Sequence, residues 1–146
     1  MSSPTILIVE DYPAQQFVFE QLCERFGYQA YMVSSGEDAL GVLAVTKYAA
    51  VILDLKLPGI DGIETVRRLR ETEKGTGRRT PVIGLTSNSV PQQREICLNA
   101  GMDDFMSKPF SIEAFRKMLL RWTYDSKRLN MSLITSTPDS DELCFG

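Results

Sequence analysis

Short apolar runs rich in β-branched residues recur along the chain, and polar residues follow most of them. The run Ala49–Leu53 is too short for a buried helix, so it predicts a central strand buried on both faces. Asp54 follows this run, and Pro58, Gly59 and Gly62 then predict a turn. Five strands are predicted in total, at Thr5–Val9, Tyr28–Val33, Ala49–Leu53, Pro81–Leu85 and Asp103–Met106.

Segments with the apolar spacing of helices separate these strands. The alternation of strand and helix predicts an α/β fold, in which a parallel sheet carries helices on both faces. The first helix is predicted from Pro13 to Phe26, with Phe17, Val18, Leu22 and Phe26 facing the core. The later helices are predicted after a cap at Ser34 or Ser35, and at Ile63–Arg70, Pro91–Asn99 and Ile112–Trp122.

The third predicted helix and the loop that follows it are rich in arginine. Ile63, Val66 and Leu69 are spaced to face inward, which directs the arginines of this helix outward. The polar segment Glu71–Thr80 predicts a surface loop. The arginines either mark a face for a partner or form an ordinary solvated surface, and they are Arg67, Arg68, Arg70, Arg78 and Arg79.

Composition limits the class of protein. The chain has 146 residues, 43% of them hydrophobic, which suits one packed domain; we predict it at residues 1–123, with a flexible tail or linker at 124–146. A formal net charge of −3 argues against general nucleic-acid or membrane affinity. The N-terminus does not have the pattern of a signal peptide. Three cysteines without a CxxC pair fit a reducing compartment, so the predicted location is the cytoplasm.

Four of the predicted strands lead into residues that can bind a metal or take part in catalysis. Glu10 and Asp11 follow the first strand, Asp54 the third, Thr86 the fourth and Lys108 the fifth. The carboxyl ends of parallel strands share one edge of the sheet, where α/β proteins bind their ligands. Each residue alone is more commonly a helix cap or a surface group, but their joint occurrence indicates a site.

The residue types at these strand ends favour phosphoryl transfer. Three neighbouring carboxylates repel one another, and each is driven toward protonation unless a cation joins them. A divalent ion that prefers oxygen ligands, above all Mg²⁺, meets that need, and Lys108 supplies a further positive charge. Asp54 is then a candidate nucleophile that forms an aspartyl phosphate, while the Thr86 hydroxyl donates to a phosphoryl oxygen.

Four segments, ILIVED, LDLKLPGIDG, PVIGLTS and GMDDFMSKPF, together resemble the receiver domains of bacterial-type two-component signalling. The resemblance extends over about Thr5–Trp122 and implies a flavodoxin-like fold, a doubly wound five-stranded parallel sheet in the order 2-1-3-4-5. It implies a phosphoacceptor domain that assists its own phosphorylation and dephosphorylation and is not otherwise an enzyme. Asp54 would accept the phosphoryl group, which Thr86 and Lys108 contact. The implied Mg²⁺ ligands are Glu10, Asp11, Asp54 and the backbone carbonyl of Lys56.

The resemblance also implies a conformational switch. Thr86 would move toward the phosphoryl group while Phe105 rotates inward, and this change would alter partner binding. Phenylalanine has no hydroxyl, so the switch would depend on packing alone. The Lys108–Pro109 peptide bond is expected to be cis.

The implied partner is a histidine kinase or a histidine phosphotransfer protein, because the chain contains no histidine of its own. The segment PQQREICLNAGMDDFMSKPF is most similar to receivers of hybrid histidine kinases, although a single-domain regulator is nearly as consistent. Homodimerisation on phosphorylation stays open, and no direct nucleic-acid or membrane contact is expected. Two alternatives are a pseudo-receiver that only binds partners, and a phosphatase with an aspartate nucleophile. The phosphatase normally has a second acid where Lys56 stands.

Three residues near the predicted site depart from the common receiver pattern. Tyr12 stands where asparagine is frequent, Ser87 where alanine is frequent, and Lys56 occupies a variable position beside the phosphoryl group. We hypothesise that Lys56 and Asn88 set the lifetime of the phosphorylated state.

Overall fold

The structure is a computed structural model that describes residues 4–87 and 91–123. None of the described helices is both long enough and apolar enough to cross a membrane. The strands are β1 (Thr5–Val9), β2 (Gln29–Val33), β3 (Ala50–Asp54), β4 (Val82–Thr86) and β5 (Asp104–Ser107). The helices are α1 (Pro13–Arg25), α2 (Gly36–Val45), α3 (Gly62–Glu73), α4 (Pro91–Ala100) and α5 (Ile112–Thr123).

The five strands form one parallel sheet in the order β2-β1-β3-β4-β5, which confirms the predicted fold class. All five residues of β3 are buried, as expected for a central strand between two layers of helices. Leu7 of β1 and Val82 of β4 both pair with Val51, so the strands on either side of β3 are in fixed register with it. This register aligns the carboxyl ends of β1, β3 and β4.

One face of the sheet carries a core cluster formed with α2, α3 and α4. Alternate strand residues such as Leu7, Val51 and Val82 point into it, because side chains of a strand alternate between the two faces. The helices contribute Ala39, Val66, Leu69, Cys97 and Ala100 to the same cluster.

Helix α1 presents a different face to the core from the one predicted. Phe19, Leu22 and Cys23 are its buried residues, whereas 61% of Phe17 and 44% of Val18 are exposed. The run Phe17–Phe19 is apolar throughout and is compatible with two helical registers. The register observed places Phe19, Leu22 and Cys23 at the i, i+3, i+4 spacing of one helix face, and Phe19 stacks on Phe110 with ring centroids 5.8 Å apart.

The prediction that Arg70 points outward is also wrong. Its side chain is only 13% exposed and donates to the Gly101 carbonyl oxygen at 2.8 Å and to the Thr80 carbonyl oxygen at 2.8 Å. It also forms ion pairs with Glu73 at 2.7 Å and Asp103 at 2.8 Å. The planar guanidinium therefore joins the end of α3 to the segments before β4 and β5, a role that suits its fork of donors.

Helix α3 is longer than predicted. Helix α3 runs to Glu73, three residues beyond its predicted end, and the Arg70–Glu73 pair supports its last turn.

The described chain divides into two compact units, one ending at Phe110 and the other, which contains α5, beginning at Ser111. In the second unit, the Ser111 hydroxyl accepts from the Ala114 N–H at 3.0 Å at the start of α5. Residues 124–146 lie outside the described chain, so the predicted tail stays a prediction.

The observed register of α1 predicts a large difference between two phenylalanines. Phe19→Ala removes a fully buried ring and leaves a cavity, so we expect it to lower the free energy of unfolding by about 3–5 kcal/mol. Phe17→Ala should change it by less than about 0.5 kcal/mol, because that ring is mostly exposed. Urea unfolding of both variants provides the measurement, and equal losses would contradict the register.

Candidate functional site

The sheet topology brings the predicted site residues to one edge. Val9 pairs with Leu53, so Glu10 follows β1 beside Asp54, the last residue of β3. Asp54 itself pairs with Leu85, and the next residue, Thr86, ends β4. Thr86 is 4% exposed, which places its hydroxyl within the protein at the same edge.

Three carboxylates meet at this edge. Glu10, Asp11 and Asp54 each offer an oxygen, and these oxygens all lie within 4.8 Å of one another. Glu10 and Asp54 are buried, whereas Asp11 is exposed. This acidic cluster can bind a metal ion, since it combines oxygen ligands with one side open to solvent.

Lys108 supplies the positive charge of the site. Its Nζ lies 3.4 Å from Asp54 Oδ2 and 3.6 Å from Glu10 Oε1. Its backbone N–H donates to the Thr86 carbonyl oxygen at 2.7 Å, so the end of β4 holds the lysine in place. The Lys108–Pro109 peptide bond is cis, as the sequence resemblance implied.

The loop after β3 approaches Asp54 closely. The Lys56 N–H donates to Asp54 Oδ1 at 3.0 Å and so orients the carboxylate. At Gly62, an added Cβ would lie only 2.7 Å from the Asp54 carbonyl oxygen, which explains why glycine stands there. Asp61 Oδ1 accepts from the Glu64 N–H at 2.9 Å and caps α3, ending the loop.

Two supporting residues were not recognised in the sequence. The Glu37 carboxylate accepts from the Ile60 N–H at 3.3 Å, which ties α2 to the loop after Asp54. The Gln16 side chain donates to the Glu10 carbonyl oxygen at 2.6 Å and to the Ser34 hydroxyl at 3.3 Å. Glu37 had the pattern of an ordinary first-turn acid and Gln16 that of a helix surface residue, so neither carried a distinguishing signal.

Four of the remaining predicted residues, Phe105, Lys56, Tyr12 and Ser87, lie in the part of the chain that the structure describes. Phe105 is half-buried, pairs with Gly84 of β4, and packs against the core cluster on the α2–α4 face. The side chain of Lys56 is exposed, as are Tyr12 and Ser87. Asn88 lies outside the described residues.

A family model described as the response regulator receiver domain matches residues 6–120. The chain belongs to this family. The predicted resemblance is therefore confirmed. The matched range includes β1 without its first residue, the other four strands and most of α5.

Relatives of this receiver domain include parts of sensor histidine kinases. It is 30% identical over 122 residues to the sensor histidine kinase GacS of Pseudomonas protegens, covering 83% of this chain and 13% of the kinase. It is 32% identical over 114 residues to the sensor histidine kinase RcsC of Escherichia coli K12, covering 78% of this chain and 12% of the kinase. The chain thus spans about an eighth of the length of these curated relatives.

A solved structure of similar size shares the fold. The receiver domain of the sensor histidine kinase PA1611 from Pseudomonas aeruginosa PAO1 is 37% identical, with a TM-score of 0.75. The match covers 84% of this chain and 98% of that domain. That structure has a magnesium ion coordinated in its active-site cleft.

The electrostatics of this receiver domain also fit a bound cation. Burial raises the pKa of Glu10, and the neighbouring charge of Asp54 raises it further, while Lys108 opposes both effects. Glu10 Oε1 is buried and has no hydrogen-bond partner within the described residues. Lys108 Nζ lies 3.6 Å from this oxygen, too far for a hydrogen bond. A buried carboxylate oxygen that accepts no hydrogen bond is costly, and a metal ion would satisfy it.

The raised pKa of Glu10 predicts that removing its charge stabilises the metal-free domain. Because the pKa in the folded state exceeds the ordinary value of 4.5, folding favours the protonated form, and stability is lost as pH rises through the folded-state pKa. In EDTA, Glu10→Gln should therefore have a higher urea midpoint than the parent at pH 7, and this advantage should shrink as the pH falls to 4.5 and below. Glu20→Gln, at an exposed position of α1, should show no such gain. An equal or lower midpoint for Glu10→Gln at pH 7 would contradict the prediction.

Proposed function

We propose that this receiver domain is a phosphoacceptor switch in which Asp54 takes a phosphoryl group from the phosphohistidine of a partner. The observation that supports it most is the placement of Lys108 Nζ 3.4 Å from Asp54 within a cluster of three carboxylates. A nucleophile, a cation and a possible metal site then lie together at the edge where α/β proteins bind ligands.

In the proposed reaction, a carboxylate oxygen of Asp54 forms a bond to phosphorus as the phosphorus–nitrogen bond of the donor imidazole breaks. The electron pair of that bond returns to the imidazole. Lys108 contacts the phosphoryl oxygens and balances their charge, and the Thr86 hydroxyl donates to one of them. The Lys56 N–H holds Asp54 Oδ1, which limits rotation of the nucleophile.

The acidic cluster suits Mg²⁺, which would supply charge neutralisation during the transfer. Glu10, Asp11 and Asp54 would hold it, together with the backbone carbonyl of Lys56. The buried Glu10 Oε1 without a hydrogen-bond partner supports this assignment. Transfer consumes Asp54 until hydrolysis restores it, so the domain assists its own phosphorylation and dephosphorylation without acting as a conventional enzyme.

The proposed output is a change in partner binding. Thr86 and Phe105 would shift together, and Phe105 can move only by repacking because phenylalanine has no hydroxyl. Its half-buried position against the core cluster supports such a movement. Homodimerisation on phosphorylation stays an open alternative.

The proposed donor is a histidine kinase or a histidine phosphotransfer protein, because this chain has no histidine. Similarity to parts of sensor histidine kinases supports a place in a hybrid-kinase phosphorelay, with a single-domain regulator as the alternative. We place the domain in the cytoplasm, since Cys23 and Cys97 are free and buried, as in a reducing compartment. No direct contact with nucleic acid or membrane is proposed.

Phosphorylation of Asp54 is tested by intact mass. After incubation with acetyl phosphate and Mg²⁺, the full chain should gain one phosphoryl group, and chelation of Mg²⁺ should prevent the gain. Asp54→Asn should show no gain, because an amide cannot form the acyl phosphate. Asp104→Asn, on β5, provides a matched control that should behave like the parent.

Two outcomes would contradict this proposal. A gain that persists in Asp54→Asn would place the phosphoryl group elsewhere. No gain, combined with no Mg²⁺ binding to the acidic cluster, would favour a pseudo-receiver that acts only as a binding module.

The lifetime of the phosphorylated state should depend on Lys56. The backbone N–H of Lys56 binds Asp54, and the side chain of the same residue is exposed. Its ammonium can therefore shield the acyl phosphate or pair with a nearby charge. We expect Lys56→Ala to change the dephosphorylation rate, measured by loss of the added mass with time. Asn88→Ala tests the other residue of the hypothesis. Lys74→Ala removes an exposed lysine of the loop after α3 and should leave the rate unchanged. Rates for Lys56→Ala and Asn88→Ala that equal the parent rate would disprove the hypothesis.

A further inference from the structure

A groove of about 480 Å³ lies along α2, α3 and the loop after α3. This volume falls within the range of roughly 300–1,000 Å³ that is usual for small-molecule sites. None of its lining residues belongs to the acidic cluster, so the groove is a second, separate concavity of the domain.

Four of the residues that line the groove are apolar. Leu40, Leu43 and Ala44 line it from α2, and Leu69 lines it from α3. Leu69 is a buried member of the core cluster, and Leu40 and Leu43 pack against that cluster while remaining partly exposed. Partly exposed apolar surface that lines a concavity favours a ligand with an apolar body.

Two arginines, Arg68 and Arg78, also line the groove. Arg68 is partly committed, because its Nε lies 2.9 Å from Glu64 Oε2. Arg78 forms no ion pair with any residue that the structure describes, so its guanidinium is available to an anion.

The acid in the wall of the groove does not oppose an anionic ligand strongly. Glu73 Oε1 accepts from Arg70 at 2.7 Å, and its Oε2 accepts from the Thr80 N–H at 2.8 Å. Both carboxylate oxygens are therefore engaged within the protein. Across residues 62–80, six basic residues outnumber three acidic ones, although the whole chain has a net charge of −3. Asp103, which pairs with Arg70 and Arg79, offsets one of these positive charges, so a smaller surplus remains. This local surplus favours negatively charged ligands.

From these features we infer that the groove binds an amphipathic organic anion. The apolar body lies on Leu40, Leu43 and Leu69, and a carboxylate, phosphate or sulfonate group reaches the guanidinium of Arg78. The inference does not depend on phosphorylation of Asp54, and it gives one member of the arginine-rich segment a binding role.

A pair of matched fluorescent probes tests this inference on the full chain. 8-Anilino-1-naphthalenesulfonate has an aromatic body and a sulfonate, and N-phenyl-1-naphthylamine has the same rings without the charge. We expect the sulfonate probe to bind more tightly, with amide chemical-shift changes concentrated in α2, α3 and the loop after α3. The two-dimensional amide spectrum must keep its native dispersion, which separates groove binding from probe uptake by an unfolded state.

Two charge variants of α3 and its loop identify the anion contact. Arg78→Gln should weaken binding of the sulfonate probe about three- to fivefold, the effect of losing one exposed charge pair, and should leave the neutral probe unaffected. Arg67→Gln makes the same charge change at an exposed position of α3 that does not line the groove, and it should leave binding unchanged. Ala44→Glu places a carboxylate at an exposed position of α2 that lines the groove, and it should also weaken binding of the sulfonate probe.

Four results would overturn the inference. Shift changes located elsewhere, or no binding at millimolar probe, would show that the groove is not a ligand site. Equal affinity for the two probes would indicate an apolar docking surface without anion recognition. Equal weakening of sulfonate-probe binding by Arg78→Gln and Arg67→Gln would show that general surface charge, and not contact with Arg78, attracts the probe.

Discussion

The structure depends above all on the placement of two buried acids at adjacent strand ends. Glu10 and Asp54 repel each other, and the raised pKa of Glu10 records the cost of holding its charge there. Lys108 offsets part of that cost, because its Nζ lies 3.4 Å from Asp54 Oδ2 and 3.6 Å from Glu10 Oε1. Negative charge remains in excess at this edge of the sheet, and one carboxylate oxygen of Glu10 has no hydrogen-bond partner in the described chain. Both features favour binding of a cation.

Several contacts remote in sequence keep this edge in place. Gln16 fixes the end of β1, and Glu37 holds the loop that follows Asp54. A backbone hydrogen bond from Lys108 to Thr86 joins the ends of β4 and β5. These contacts hold the charged groups in position before any ligand arrives, which reduces the reorganisation that a reaction would otherwise require.

The arginines of α3 and its loop have different structural roles although they are close in sequence. Arg70 is largely buried and holds the segments before β4 and β5 through two carbonyl oxygens and two acids. Arg79 forms an additional ion pair with Asp103 at 3.0 Å, whereas Arg78 lines a groove and forms no ion pair in the described chain. Arg70 and Arg79 therefore join segments within the protein, whereas Arg78 is accessible at the surface.

The sequence by itself determined the five strands, their parallel order by resemblance, and the polar residues at their ends. Strand length and the position of Asp54 after an apolar run are local features, so they can be read from neighbouring residues. Only the tertiary structure decided that Phe19 and not Phe17 faces the core, and that Arg70 turns inward to Asp103. An apolar run on a helix permits more than one register, and an arginine finds buried acceptors only when distant segments come together, so these outcomes depend on packing across the chain.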